Sequence, residues 1–149
     1  MQLYEKIEAV RDAIYAVILA GMDDLSTPIN CVMFDDEIKT GTIKPPYLKI
    51  ISEDSEVGAN TTGGREEWLL RYSLLIVSTS VKSGDAKEAQ KLALECSTLF
   101  LTDRTLGRVI SDIYRVGFTP NDKRDEDASQ ISGASVQMTA LINFKEGDN

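Results

Sequence analysis

The stretch from Glu66 to Val81 (EEWLLRYSLLIVSTSV) constrains the fold more strongly than any other part of this 149-residue sequence. Its two alternating sets of residues are both largely apolar. One set is Trp68, Leu70, Tyr72, Leu74 and Ile76, and the other is Leu69, Arg71, Leu75, Val77 and Val81. A strand with one face in water would alternate apolar with polar residues. We therefore predict a central strand covered on both faces, by helices or by another subunit.

Two segments have the three- and four-residue apolar spacing of amphipathic helices. The first runs from Gln2 to about Ala20 and is followed by Gly21, a common stop signal. The second follows the turn at 83–85 and buries an apolar stripe from Ala86 to Phe100. In this second helix, Asp85 and Glu88 have the spacing of a capping box.

The remaining strands are predicted from shorter apolar or alternating runs, at 30–38, 47–51, 113–119 and 131–145. Strand 113–119 is expected to place Tyr114, Val116 and Phe118 on one face, and 131–145 alternates most cleanly. The polar, glycine-rich segment 53–65 is predicted to be a loop. Residues 106–113 are equally compatible with a short helix and with an extended connection.

The predicted order is therefore α-β-β-β-α-β-β. Strands that occur in runs, rather than alternating with helices, favour an α+β fold with a largely antiparallel or mixed sheet and two main helices. The length fits one domain over residues 1–149, and no linker or internal repeat interrupts it.

Composition narrows the classes of function. The 42% of hydrophobic residues can build one sizeable core. The formal net charge of -8 disfavours a protein that coats nucleic-acid backbone, because its field would repel phosphate. The absence of His removes the commonest neutral-pH acid–base group. No run is long enough to span a membrane and no signal peptide is apparent, so we expect a cytosolic product with no membrane partner. Cys31 and Cys96 lack zinc-like spacing, and because both lie among apolar neighbours, we expect buried free thiols in a reducing compartment and not a disulfide.

The strongest candidate for catalysis is the acidic run Asp35-Asp36-Glu37, in which Glu37 and Lys39 form the Glu-x-Lys pair of some metal-dependent nucleases. That chemistry needs a further acid in the same site, and the upstream acids lie in the first helix and its connector. A solvated strand end is the favoured interpretation. The glycines at 63–64 and 84 match no phosphate-binding motif. We therefore predict no catalytic residue, no cofactor and no metal site.

The segment Asp122–Asp127 (DKRDED) places six charges of both signs side by side. Such a run is usually a solvated turn. The alternative is a rim that pairs with a neighbouring subunit, because mixed signs allow complementarity. On that alternative, the candidate residues for a subunit or partner interface are Trp68, Arg71, Lys82, Asp122, Lys123, Arg124, Asp125 and Glu126.

In the order of its predicted elements and the residue pattern of its segments, the sequence resembles the tail terminator (tail completion or neck) proteins of long-tailed bacteriophages, the family of the lambda minor tail protein U. The resemblance covers most of the chain and no single motif in it is diagnostic. The segments that carry it are YEKIEAVRDAIYAVI, REEWLLRYSLLIVSTS, DAKEAQKLALECSTLFL, IYRVGFTPNDKRDED and ISGASVQMTALINF.

The resemblance implies a non-enzymatic virion protein that is made in the host cytoplasm and assembles with itself, usually as a hexameric ring. Such a ring lies at the head-proximal end of the tail tube, stops tube polymerisation and receives the head connector. The implied partners are other copies of the chain, the tail tube protein and the head connector, and DNA passes transiently through the lumen. The nearer alternative is another neck or tube component (head closure or tail tube), and the less favoured one is a small metal-dependent enzyme.

Overall fold

Two helices and six strands form the fold in the computed structural model, which describes residues 2–37, 43–61, 63–79, 87–124 and 131–145. The predicted α+β class, with a mixed sheet and two main helices, is confirmed. The elements are α1 (Leu3–Ala20), β1 (Cys31–Phe34), β2 (Tyr47–Ser52), β3 (Glu56–Thr61), β4 (Arg65–Thr79), α2 (Lys87–Thr98), β5 (Asp112–Thr119) and β6 (Ile131–Lys145). Short 3-10 turns follow α1 at 22–24 and α2 at 99–101.

The sheet has the strand order β1-β2-β4-β6-β5, with β3 also paired to β4. Only the β1–β2 pair among these described strands is parallel. β2 and β3 pair in succession with one edge of β4, so that Ser52 lies opposite Tyr72 and Glu56 opposite Leu69. β6 pairs with β4 along its whole length and makes these two strands the centre of the sheet.

The prediction of a loop at 53–65 is wrong, because β3 occupies Glu56–Thr61. β3 pairs with β4, which supplies hydrogen-bonding partners for the β3 backbone. The polar sequence of β3 has no alternation that would predict a strand. Gly63 and Gly64, with φ of 92° and 79°, form the turn between the two strands. Positive φ is readily accessible to glycine, and this explains the glycine pair that suggested a loop.

Two predicted boundaries differ from those of the structure. β1 ends at Phe34 rather than continuing towards Ile38, because a turn begins at Asp35. Glu37 closes this turn by accepting a hydrogen bond from the Phe34 N–H at 3.1 Å. Residues 104–109 form turns, and extended structure begins only at Asp112. The predicted cap at Asp85 and the end of the long strand at Val81 lie outside the described residues.

Both helices pack on one face of the sheet. α1 contributes Val10, Ile14 and Ile18 to the main core, and α2 contributes Leu92 and Cys96. They meet the even-numbered residues of the two central strands, which are Leu70, Tyr72, Leu74, Ile76, Ala134, Val136, Met138, Ala140 and Ile142. Among the described residues, no helix combines the length and apolarity needed to cross a bilayer.

We call the opposite side of the sheet the helix-free face. Leu75 and Val77 of β4 are buried there at 1% and 2% exposure, in a small second cluster with Met33 and Tyr47. The predicted burial of both faces of the long strand is thus confirmed at its C-terminal half. Nearer its start, Leu69 and Arg71 remain half-buried.

The predicted alternation of β5 is wrong, because the β5–β6 register shifts between Arg115 and Gly117. Tyr114 lies opposite Thr139 and so points to the helix-free face, whereas Phe118 lies opposite Val136 and points to the helix-covered face. Val116 sits at the bulge between them and is 54% exposed. A bulge adds one residue to a strand and reverses the alternation beyond it.

Candidate interaction surface

The most constrained polar feature of the described chain is the carboxylate of Asp122, just beyond β5 on the helix-free face. Its side chain is only 5% exposed. It accepts a hydrogen bond from the hydroxyl of Ser135 at 2.7 Å and another from the backbone N–H of Arg124 at 3.1 Å. The guanidinium of Arg124 donates to both carboxylate oxygens, from Nη2 at 2.7 Å and from Nε at 3.0 and 3.1 Å.

Arg124 also connects this carboxylate to the bend between β2 and β3. Its Nη1 forms an ion pair with Glu53, whose Oε1 accepts a second hydrogen bond from Ser73 at 2.8 Å. We call Glu53, Asp122 and Arg124 the charged cluster. It joins three parts of the helix-free face that are far apart in sequence: the bend after β2, the centre of the sheet and the segment after β5.

The backbone of this segment approaches the sheet as closely as its side chains do. The Asp122 N–H donates to the carbonyl oxygen of Gly133 at 2.8 Å. A Cβ placed on Gly133 would lie only 2.3 Å from the carbonyl oxygen of Asp122. Glycine is therefore required at this position of β6 by close backbone packing, and its φ is not the cause.

The charged cluster keeps both of its acids ionised. Burial raises the pKa of Asp122, but the hydrogen bonds from Arg124 and Ser135 outweigh it, so that the net pKa lies below its ordinary value. The pKa of Glu53 is lowered in the same way, with burial opposed by Arg124 and Ser73. The pKa of the Arg124 guanidinium is raised, because its hydrogen bonds to Asp122 outweigh the lowering effect of partial burial.

These shifts predict that acid weakens the fold through the charged cluster. A depressed carboxylate pKa stabilises the folded state above the unfolded-state pKa, which is about 4, and this stability is lost as the pH falls through the folded-state pKa. The free energy of unfolding should therefore fall from about pH 5 downward. In urea titrations at several pH values, Asp122→Ala should show a flatter acid limb than the wild type. Parallel curves would contradict the assignment.

The structure places the sequence-predicted interface residues on two different faces. Arg71 lies on the helix-free face, where it forms an ion pair with Glu56 and keeps its side chain 40% exposed. Lys123 is exposed beside the charged cluster. Trp68 instead packs against the main core, and its indole N–H is buried with no hydrogen-bond partner among the described residues. Lys82, Asp125 and Glu126 lie outside the described residues.

A hollow of about 360 Å³ lies next to the charged cluster on the helix-free face. It is lined by, among others, Glu53, Asp54, Arg71, Ser73, Val116 and Gln137. Sequence reasoning missed most of this lining. Glu53 was hidden in a predicted loop, and the bulge turns Phe118 away from the face that Tyr114 and Val116 share, so that the predicted three-residue face does not exist. No local sequence pattern in β5 predicts the bulge.

The acidic end of β1 is not organised as a metal centre in the described residues. Asp36 binds Arg11 at 2.9 Å, and this guanidinium also stacks on the Phe34 ring at 4.2 Å. Glu37 caps the turn after β1. In the part of the chain that the structure describes, no three His, Cys, Asp or Glu residues are grouped so as to hold a metal ion. Lys39 lies outside that part.

The two cysteines are free in the structure. Cys96 is buried and Cys31 is half-buried, in partial agreement with the prediction of two buried thiols. Burial, with a smaller contribution from Glu95, raises the pKa of the Cys96 thiol to about 12. Cys96 is therefore a thiol at neutral pH and packs as a small apolar residue.

Sequence comparison with protein families and with curated proteins found no relative of this chain. No protein-family model matches the sequence, and a search of curated proteins finds no significant match. The function of the chain therefore has to be inferred from the geometry of the sheet faces and from the resemblance of its sequence pattern to tail terminator proteins.

Proposed function

We propose that this chain is a virion structural protein of a long-tailed bacteriophage. In this proposal it assembles as a ring at the head-proximal end of the tail tube, stops tube polymerisation and provides the surface to which the head connector docks. Its partners are other copies of itself, the tail tube protein and the head connector, and DNA passes through the lumen without lasting contact.

The observation that supports the proposal is that the two faces of the sheet are covered to different extents. Both helices cover one face, whereas on the other a short segment around Asp122 and the side chain of Ile43 pack against part of the sheet. The rest of that face presents Arg71 and Val116 at 40% and 54% exposure. A sheet face left in this state suits a subunit that packs against other proteins. The net charge of -8 suits a channel in which tight phosphate binding would hinder DNA passage.

The proposal predicts a closed assembly of defined mass. Six copies of the 16.4 kDa chain would weigh about 98 kDa. Light scattering on the purified protein should detect this mass, alone or after addition of tail-tube protein, and negative-stain images should show a ring with a central hole. A chain that neither forms rings nor caps tubes would overturn the proposal.

The same measurements separate the alternatives. A tail tube protein would form open stacks without a length limit, because its contacts repeat along an axis. A metal-dependent enzyme with its site near Asp35 would gain thermal stability from Mg²⁺ or Mn²⁺, and Asp35→Ala would abolish that gain. Unchanged melting temperatures with both ions would exclude this use of the acidic strand end.

A further inference from the structure

We infer that the hollow between the C-terminal ends of the two helices binds a basic segment of a partner protein, through an Arg or Lys side chain and an apolar neighbour. We call it the interhelix hollow; its volume is about 510 Å³. The inference goes beyond the proposed function, because it names the chemistry of a partner segment and does not depend on ring assembly. Its evidence is an apolar wall, two carboxylates without a cationic partner and the polarity of two helix ends.

The wall of the interhelix hollow is apolar and is held in place by a close contact. Val17 and Ala20 line the hollow from α1, and Leu99 lines it from the 3-10 turn after α2. Leu99 packs directly on Gly21, so closely that a Cβ added to Gly21 would lie 2.6 Å from the Cδ2 atom of Leu99. This contact joins the ends of the two helical segments, so the wall exists before any ligand binds.

Two carboxylates that line the hollow have no cation beside them. The Asp24 side chain is exposed and forms no hydrogen bond or ion pair within the described residues. Oε1 of Glu95 accepts hydrogen bonds from the backbone N–H of Ser26 at 3.0 Å and from its hydroxyl at 2.8 Å. Both donors are neutral, so they orient Glu95 without cancelling its charge. Lys91, one turn earlier in α2, forms no ion pair with Glu95 in the part of the chain that the structure describes.

The helix ends add to this negative potential. The C-terminal end of a helix carries a partial negative charge, and α1 and α2 both end at the interhelix hollow. Neither helix has a basic residue in its last turn. Residues 12–34 and 92–103, which contain the described lining, hold five acidic residues and no Lys or Arg. The hollow therefore attracts a cation that these parts of the chain do not supply.

The apolar wall decides which kind of cation fits. A metal ion needs several oxygen ligands, and among the described residues no three His, Cys, Asp or Glu are grouped to provide them. Arg and Lys combine an apolar stem with a charged end, which matches an apolar wall next to two carboxylates. Leu94, 38% exposed and one turn from Thr98 on the same helix face, extends the apolar surface beyond the hollow. A peptide segment with an apolar neighbour suits this surface better than a small free cation.

The test is a peptide titration followed by the amide chemical shifts of the isotopically labelled full chain. The probe is the blocked tripeptide acetyl-Leu-Arg-Leu-amide, and its control carries citrulline, a neutral analogue of Arg with nearly the same shape. The arginine peptide should shift the amide signals of residues that line the hollow, such as Gly21 and Thr102. The citrulline peptide should bind more weakly by about tenfold or more, because it keeps the apolar contacts and lacks the charge.

Two double variants locate the binding site. Asp24→Asn with Glu95→Gln removes both negative charges, while the amide oxygen at position 95 can still accept the hydrogen bonds from Ser26. It should raise the dissociation constant of the arginine peptide by about tenfold or more. Asp12→Asn with Asp35→Asn is the matched control, since it changes the net charge equally at two exposed residues outside the described lining. It should bind within about twofold of the wild type. Circular dichroism would verify that both variants are folded.

Every result bears on the inference. Binding that is lost in Asp24→Asn with Glu95→Gln and retained in the control supports it. Absence of shifts at the lining residues, equal binding of the citrulline peptide, or equal losses in both double variants overturns it. If the wild-type chain self-associates and Asp24→Asn with Glu95→Gln abolishes that association, the occupant is a second copy and the assignment to a partner protein is wrong. The ring and tube-capping assays test the proposed function separately.

Discussion

Gly133→Ala is expected to destabilise the fold by about 3 kcal/mol or more. The new methyl group would lie 2.3 Å from the carbonyl oxygen of Asp122, a distance that no Cβ tolerates. Relief requires the backbone after β5 to move away from β6. That movement would break the 2.8 Å hydrogen bond between the Asp122 N–H and the Gly133 carbonyl and would disturb the charged cluster. Urea unfolding followed by circular dichroism measures the change.

Gly117→Ala is the matched control for this prediction. Gly117 also lies in the β5–β6 pair, but the nearest atom to its added Cβ is the side-chain oxygen Oε1 of Gln137, at 3.0 Å. The end of a flexible side chain can move, whereas the backbone of Asp122 is held against β6 by the hydrogen bond from its own N–H to Gly133 and by the charged cluster. We expect a loss of about 1 kcal/mol or less. Similar losses for the two glycines would show that the approach of Asp122 to Gly133 is not the cause.

Asp122→Ala is expected to cost about 2 kcal/mol of unfolding free energy. The substitution removes the acceptor of the Ser135 hydroxyl, and since Ser135 is fully buried, the hydroxyl proton is left unbonded while the oxygen still accepts from Gln137. It also removes the main partner of Arg124. Because the Arg124 side chain is 42% exposed, water can solvate the released charge, and the loss should stay below that of a fully buried ion pair.

Lys123→Ala tests whether this effect is specific to the buried carboxylate. Lys123 is adjacent in sequence and exposed, so its removal should change stability by less than about 0.5 kcal/mol. The double variant Asp122→Ala with Gly133→Ala should lose less than the sum of the single losses, since both act on one contact. Strict additivity would argue that the two residues stabilise the fold independently.

The charged cluster shows why the residues near a charge in sequence do not predict its partner in the folded protein. The mixed signs of DKRDED favoured a solvated turn, with a rim between subunits as the alternative, and the structure shows that Asp122 and Arg124 bind each other and Glu53 within one chain. Complementary charges satisfy each other equally well within and between chains. Sequence spacing gives no means of choosing, because Glu53 is 71 residues away from Arg124.

The sequence by itself determined the elements whose pattern is local. α1, α2, β4 and β6 were predictable, because periodic burial along one element leaves a periodic sequence. Only the tertiary structure decided the rest. β3 depends on hydrogen bonds from β4, the direction of Phe118 depends on the β5–β6 register, and Gly133 is required by a backbone segment that follows another strand. These features arise from pairs of distant segments, and neither segment alone records the pairing.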